Sequence, residues 1–256
     1  MMFETTTAVL CAAAFFAGFV DAIVGGGGLI QVPAMLIMLP GAPIASVFGT
    51  NKLASLAGTS VALWQITRKV TVPWASILPG ALCAAIFAFL GARAVSLINP
   101  QILKPVILAL LIGVAIYTFI RKDLGALHAP SRTPSTEKLI SMGIGAVLGF
   151  YEGFFGPGTG SFLIFAFIGL LGFQFMVASA SAKVINITTN FSALTYFAYT
   201  GNVIYELAIP MAVCNVAGSL LGARLALEKG AAFIRMAFLV VMGALIIRYA
   251  YDVFYK

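Results

Sequence analysis

Apolar runs long enough to cross a lipid bilayer recur along almost the whole chain, and this limits its fold more than any other feature. About 20 apolar residues make a helix that spans the hydrocarbon core. Runs of that order lie at 8–24, 46–67, 74–97, 101–120, 139–155, 176–199, 205–227 and 231–252, with shorter ones at 28–39 and 158–171. Inside lipid every backbone N–H and C=O needs a partner within the chain, and helices meet that need segment by segment. The expected fold is an all-α polytopic membrane protein. Charge agrees: only 9% of the 256 residues are charged, against roughly 25% in a soluble domain.

The same sequence excludes several functions. The net charge of +7 comes from basic residues scattered between apolar runs, which marks loop topology and not a nucleic-acid footprint. Cys11, Cys83 and Cys214 all lie inside apolar segments, so neither a disulfide framework nor a zinc spacing exists. His128, the one histidine, sits in the longest polar stretch without ligand-type neighbours, so neither metal nor histidine chemistry is expected. The run GPGTGS at 156–161 lacks the lysine and the preceding strand of a P-loop, and no cofactor is implied. The sequons at Asn186 and Asn190 fall within an apolar segment and are accidental. The opening MMFETTT has an acidic residue where a cleavable signal has a basic region, so residues 8–24 are expected to stay as a membrane segment.

The chain reads as one integral membrane domain in three parts. A first transmembrane repeat covers 1–120, a cytoplasmic linker covers 121–138, and a second transmembrane repeat covers 139–256. The linker holds Arg121, Lys122, Asp123, Arg132, Glu137, Lys138 and two prolines without periodicity. A shift of 131 residues lays the halves on each other without a gap. Gly18-Phe19 then matches Gly149-Phe150, Asp21 matches Glu152, and Gly25 and Gly27 match Gly156 and Gly158. Lys52 matches Lys183, Pro79 matches Pro210, Cys83 matches Cys214, and Gly91-Ala92-Arg93 matches Gly222-Ala223-Arg224. Identity is only about one position in five, but these residue types are rare here and share one offset.

Parity then sets the relation between the halves. Each half has five segments or, since the second is short enough for a half-helix or re-entrant element, three full spans plus a re-entrant pair. An odd count puts the second half into the membrane upside down, as an inverted repeat. Arg68-Lys69 follows the third segment of the first half, where the second half has Thr200-Gly201-Asn202. With the positive loop cytoplasmic, the linker is cytoplasmic and both termini face outward. Fusing the first two segments of each half into one span gives the alternative, a parallel repeat.

Chemistry concentrates at two places in each half. The clusters GFVDAIVGGGGLIQVP and GFYEGFFGPGTGSFLI break a helix at Gly25–Gly28 and Gly156–Gly160, because glycine loses the most entropy in a helix and Pro157 removes a donor. Backbone N–H groups freed at membrane depth must line a cavity, and at the start of a short helix they form an anion site. Glycine also favours close helix packing, the blander reading. Lys52 and Lys183 lie mid-segment among small and hydroxyl residues, where an insertion cost of roughly 2.5–3.5 kcal/mol argues for a function or a counter-ion. Thr50, Asn51, Ser55 and Thr59 give the first of these segments a polar face, as Ser179, Asn186 and Asn190 do the second. Substrate-binding candidates are therefore Lys52, Lys183, Thr50, Asn51, Gly25, Gly26, Gly27, Gly156, Gly158, Thr159, Asn186 and Asn190. Asp21 and Glu152 are candidate coupling or counter-ion residues, whether they relay protons or only pair with the lysines. Arg93 and Arg224 read as interfacial anchors, and Trp64 and Trp74 as an interfacial belt beside Arg68-Lys69.

At these motifs the chain resembles the sulfite exporter TauE/SafE family of bacterial membrane transporters, particularly its YfcA-like members. The resemblance covers nearly the whole chain and is carried by GFVDAIVGGGGLIQVP, GTNK around Lys52, GFFGPGTGSFL, and SASAKVINITTN around Lys183. Where the family often has aspartate after the second Gly-Phe, this chain has the longer Glu152. The resemblance implies transport of sulfite, sulfonates or related organosulfur anions across the bacterial inner membrane.

The leading expectation is a secondary transporter that holds a small anion at a midplane site between repeats. The membrane potential drives anion export by about 2.3 kcal/mol per charge per 100 mV, so uptake would need protons or sodium. An anion channel or an assembly protein is the alternative. An intramembrane enzyme is disfavoured, since the matched carboxylates are Asp21 and Glu152 and the lone His128 forms no serine–histidine dyad. The expected partners are a small anionic substrate, lipid and a coupling ion; nucleic acid is not among them.

Overall fold

The computed structural model describes residues 2–98 and 133–229, with positions 109, 112 and 247. The segments at 101–120 and 231–252, His128 and residues 121–132 of the linker lie outside the described residues. Among the described residues all regular structure is helical: α1 (Met2–Val24), α2 (Gly28–Met38), α3 (Ile44–Thr67), α4 (Trp74–Leu97), α5 (Pro134–Phe154), α6 (Thr159–Leu171), α7 (Phe175–Tyr199) and α8 (Tyr205–Lys229). Helix α5 starts inside the stretch read as linker. The Thr133 side chain caps it by accepting from the Thr136 N–H at 3.4 Å, and Pro134 opens the first turn, so a polar N-cap motif extends the helix beyond its apolar run.

Three of these helices are long and apolar enough to cross a membrane: Glu4–Val24, Trp74–Leu97 and Tyr205–Glu228. Helices α3 and α7 are as long, but they bury many polar residues and pack against each other among the described residues. Trp64 and Trp74 are exposed, and the Arg68 guanidinium lies 3.8 Å over the Trp64 ring, a cation–π contact. Arg224 is exposed and pairs with Glu228 at 3.0 Å.

Small residues bring the outer helices together. On α5, Gly145, Gly149 and Gly153 recur every fourth residue and face Gly80, Ala84 and Ala88 of α4 so closely that an added Cβ would strike the α4 backbone. Gly18 of α1 likewise faces Asn215 of α8, while Gly218 and Gly222 face Phe15 and Phe19. Without a hydrophobic drive between helices in lipid, such close backbone approach is what holds them. The packing reading of glycine thus applies to these seams; the glycines at 25–28 also allow close approach, but there the helix breaks as well.

The contacts also fix helix direction. Ser192 donates to the Ala85 carbonyl at 2.6 Å and Tyr196 packs on Phe89, so α4 and α7 run together. The α4–α5 seam gives α5 the same direction. Gly49 meets Asn202 and Gly58 meets Asn215, so α3 and α8 run together, and the α1–α8 seam adds α1. Gly49 also meets Phe197, which sets the start of α3 beside the end of α7. Helices α1, α3 and α8 therefore oppose α4, α5 and α7.

Candidate functional site

Helix α1 stops at Val24 and α5 at Phe154, each at its glycine cluster. Gly25 and Gly156, matched by the 131-residue offset, have φ of +71° and +93°, a conformation that glycine adopts at no steric cost. The chain then turns back as α2 and α6, of 11 and 13 residues. At 1.5 Å per residue these reach ~16–20 Å, over half of a ~30 Å hydrocarbon core. The two breaks touch. A Cβ on Gly25 would lie 2.6 Å from the Gly160 carbonyl carbon, and one on Gly28 would lie 3.2 Å from Pro157 Cα. Ser161 ties them by donating to the carbonyls of Val24 and Gly25, at 2.9 and 2.6 Å.

A small polar cavity lies at this junction. It is lined by Asp21 and Gly26 at one break, by Glu152, Gly156, Gly158 and Thr159 at the other, and by Asn51, Asn186 and Asn190 from α3 and α7. The free space has room for about one or two waters. These nine residues were all candidates from sequence. Gly28, Ser55, Thr59 and Gly160 also line it. The offset that pairs the lysines was the signal for two of these, since Ser55 and Thr59 stand 131 residues before Asn186 and Asn190. Both asparagines of the two sequons, Asn186 and Asn190, are buried.

The lysines are placed differently. Both are 1% exposed, and neither is among the residues lining the cavity. Lys52 Nζ donates to the Glu152 backbone carbonyl at 2.6 Å and forms an ion pair with the Glu152 carboxylate. Lys183 Nζ donates to the Asp21 backbone carbonyl at 3.1 Å and to Ser179 Oγ at 3.4 Å. Each ammonium thus caps the carbonyl end of the other half's broken helix, where the helix dipole favours positive charge. The two arrangements differ at the carboxylates. Asp21, one methylene shorter, accepts from the Gly27 N–H at 3.3 Å and from Thr59 Oγ1 at 3.0 Å; it forms no ion pair among the described residues.

Of the remaining candidates, Gly25 packs on Gly160 and Gly27 holds Asp21, so both shape the break from behind the cavity wall. Thr50 donates to the Ser46 carbonyl at 2.6 Å and accepts from the Ile204 N–H at 2.9 Å, joining the start of α3 to that of α8. It lies away from the cavity.

A chain with two helix breaks meeting at a polar cavity matches the sequence model described as Sulfite exporter TauE/SafE over residues 10–249. The chain belongs to the sulfite exporter TauE/SafE family. It is 38% identical over 245 residues to "Probable membrane transporter protein ORF9" of Sinorhizobium sp, covering 96% of this chain and 92% of that one. It is 33% identical over 245 residues to "Probable membrane transporter protein" of Haemophilus influenzae, covering 96% and 94%. Against "Probable membrane transporter protein YfcA" of Escherichia coli K12 the identity is 32% over 244 residues, covering 95% and 89%. No solved structure matches the chain significantly. As a member of the TauE/SafE family the protein is a membrane transporter, and the names of its relatives point to transport and not to enzymatic turnover.

Proposed function

We propose that this TauE/SafE protein is a secondary transporter of small sulfur or organosulfur oxyanions, of the sulfite or sulfonate type, across the bacterial inner membrane. It would be a multi-pass protein built of two inverted repeats, with the anion held at the junction of the two breaks. The observation that carries this reading is the reciprocal crossing at the centre. Lys52 reaches the break of the second half, and Lys183 reaches the break of the first. The helices matched by the offset also run in opposite directions: α1 against α5, α3 against α7, and α4 against α8. A two-fold axis in the membrane plane relates units in that way, whereas a parallel repeat keeps matched helices aligned.

Anion binding draws support from the cavity wall. Gly26 and Gly28 at the start of α2, and Gly158 and Gly160 at the start of α6, face one space, and the first N–H groups of a helix have no acceptor within it; the Thr159 N–H is already engaged by the Gly156 carbonyl at 3.2 Å. The site straddles the two halves, so rocking one half against the other would open it to alternate faces.

Two measurements test this. Purified protein is expected to bind at least one of sulfite, sulfate, thiosulfate, taurine and sulfoacetate in a calorimetric screen; silence across the panel would remove the substrate class. Cysteine-accessibility labelling on a Cys-free background is expected to place both termini outside and position 69 inside, with termini on opposite faces contradicting the inverted repeat.

A further inference from the structure

The walls of the cavity offer more acceptors than the protein satisfies. Asn51, Asn186 and Asn190 line it, each more than nine-tenths buried at 4%, 6% and 3% exposure. The amide oxygen of each has no hydrogen-bond partner. The carboxylates of Asp21 and Glu152 share the same walls with the hydroxyls of Ser55, Thr59 and Thr159. Oxygen-rich walls of carboxylate, carbonyl and hydroxyl select a hard cation, which takes several such ligands at once. One water would donate two hydrogen bonds and leave most of these oxygens unmet.

We propose that this cavity binds a sodium ion, with the Asp21 carboxylate as its charged ligand and Asn51, Thr59, Asn186 and Asn190 supplying neutral oxygens. Asp21 is suited to this because it forms no ion pair among the described residues, while Glu152 is committed to Lys52. The free space, with room for one or two waters, admits one dehydrated cation but not an oxyanion, so an anion must enter by an opening of the cavity. The charged groups around Asp21 are Glu152 on α5, Lys52 on α3 and Lys183 on α7, and with Asp21 they sum to zero. Sodium adds one positive charge, which an arriving anion offsets, so each ion strengthens binding of the other.

The assignment concerns cation binding to the protein alone and does not depend on which anion is carried. Its test is the thermal unfolding midpoint of the purified full chain in NaCl, KCl or choline chloride at equal ionic strength and pH. Sodium should raise the midpoint saturably, as a ligand specific to the folded state does, and potassium and choline should not. Asn51→Ala and Asn190→Ala should each raise the half-saturating sodium concentration about tenfold, equivalent to one lost ligand worth about 1.4 kcal/mol. Asp21→Asn should abolish the response. The wild-type comparison and the two alanine variants decide the matter even if Asp21→Asn does not fold. A midpoint equally indifferent to all three cations overturns the site. So does a response that follows the anion or the pH with sodium irrelevant, although the transport reading would survive it.

Discussion

Replacing Lys52 by methionine is expected to destabilise the protein severely, and replacing Lys183 by methionine only moderately. In sequence the two positions are equivalent, and loss of either lysine would be expected to lower anion affinity while the protein still inserted. The contacts separate them. Lys52→Met leaves the Glu152 carboxylate, 6% exposed, without its ion-pair partner. Breaking a buried pair from one side costs about 3–5 kcal/mol. Lys183→Met removes bonds to a backbone carbonyl and a serine hydroxyl, worth about 1.5–3 kcal/mol for a charged donor. The double variant Lys52→Met/Glu152→Gln removes both charges together and should regain most of the stability lost by Lys52→Met. Unfolding in detergent, read as a double-mutant cycle, gives the coupling directly. Equal losses for the two lysines, or no recovery in the double variant, would contradict the ion pair as the basis of the asymmetry.

That difference marks where sequence reasoning stops. The helices were legible because apolar runs in lipid have one main solution: the segment read at 74–97 is α4, and those read at 28–39 and 176–199 differ from α2 and α7 by one residue at an end. The breaks at Gly25 and Gly156 were legible because four consecutive glycines, or glycine around Pro157, cannot continue a helix in lipid. The offset identified Lys52 and Lys183 as equivalent, but an offset says nothing about which half supplies the partner. Only the packing of antiparallel α3 and α7 between the two breaks sends each lysine into the opposite half. Nor does residue type reveal that the ammonium groups point to carbonyl ends of helices while carboxylates and amides face the cavity. The start of α5 was misplaced for a local reason, since the Thr133-Pro134 cap lies in a polar stretch that composition alone reads as linker.

The largest functional effect is expected from filling the cavity. Asn186 and Asn190 are buried, line the cavity and lie one helical turn apart on α7. Leucine at either position keeps the branched outline but is larger and has no polar end, so it should intrude on the small cavity and replace polar wall with apolar surface. Ligand sites that lose a buried hydrogen-bonding group lose affinity far beyond what shape predicts. Asn186→Leu and Asn190→Leu should therefore insert and purify, yet reduce transport at least about a hundredfold.

Counterflow in proteoliposomes tests the central claim most directly. Vesicles loaded with an excess of the unlabelled anion and diluted into a trace of the labelled one would be followed over time, with wild type beside Asn190→Leu. An alternating-access carrier with its site at the junction of the two breaks predicts a transient overshoot of label inside wild-type vesicles, and none with the leucine variant. Equilibration of label without an overshoot, or an overshoot that Asn190→Leu leaves intact, would contradict it.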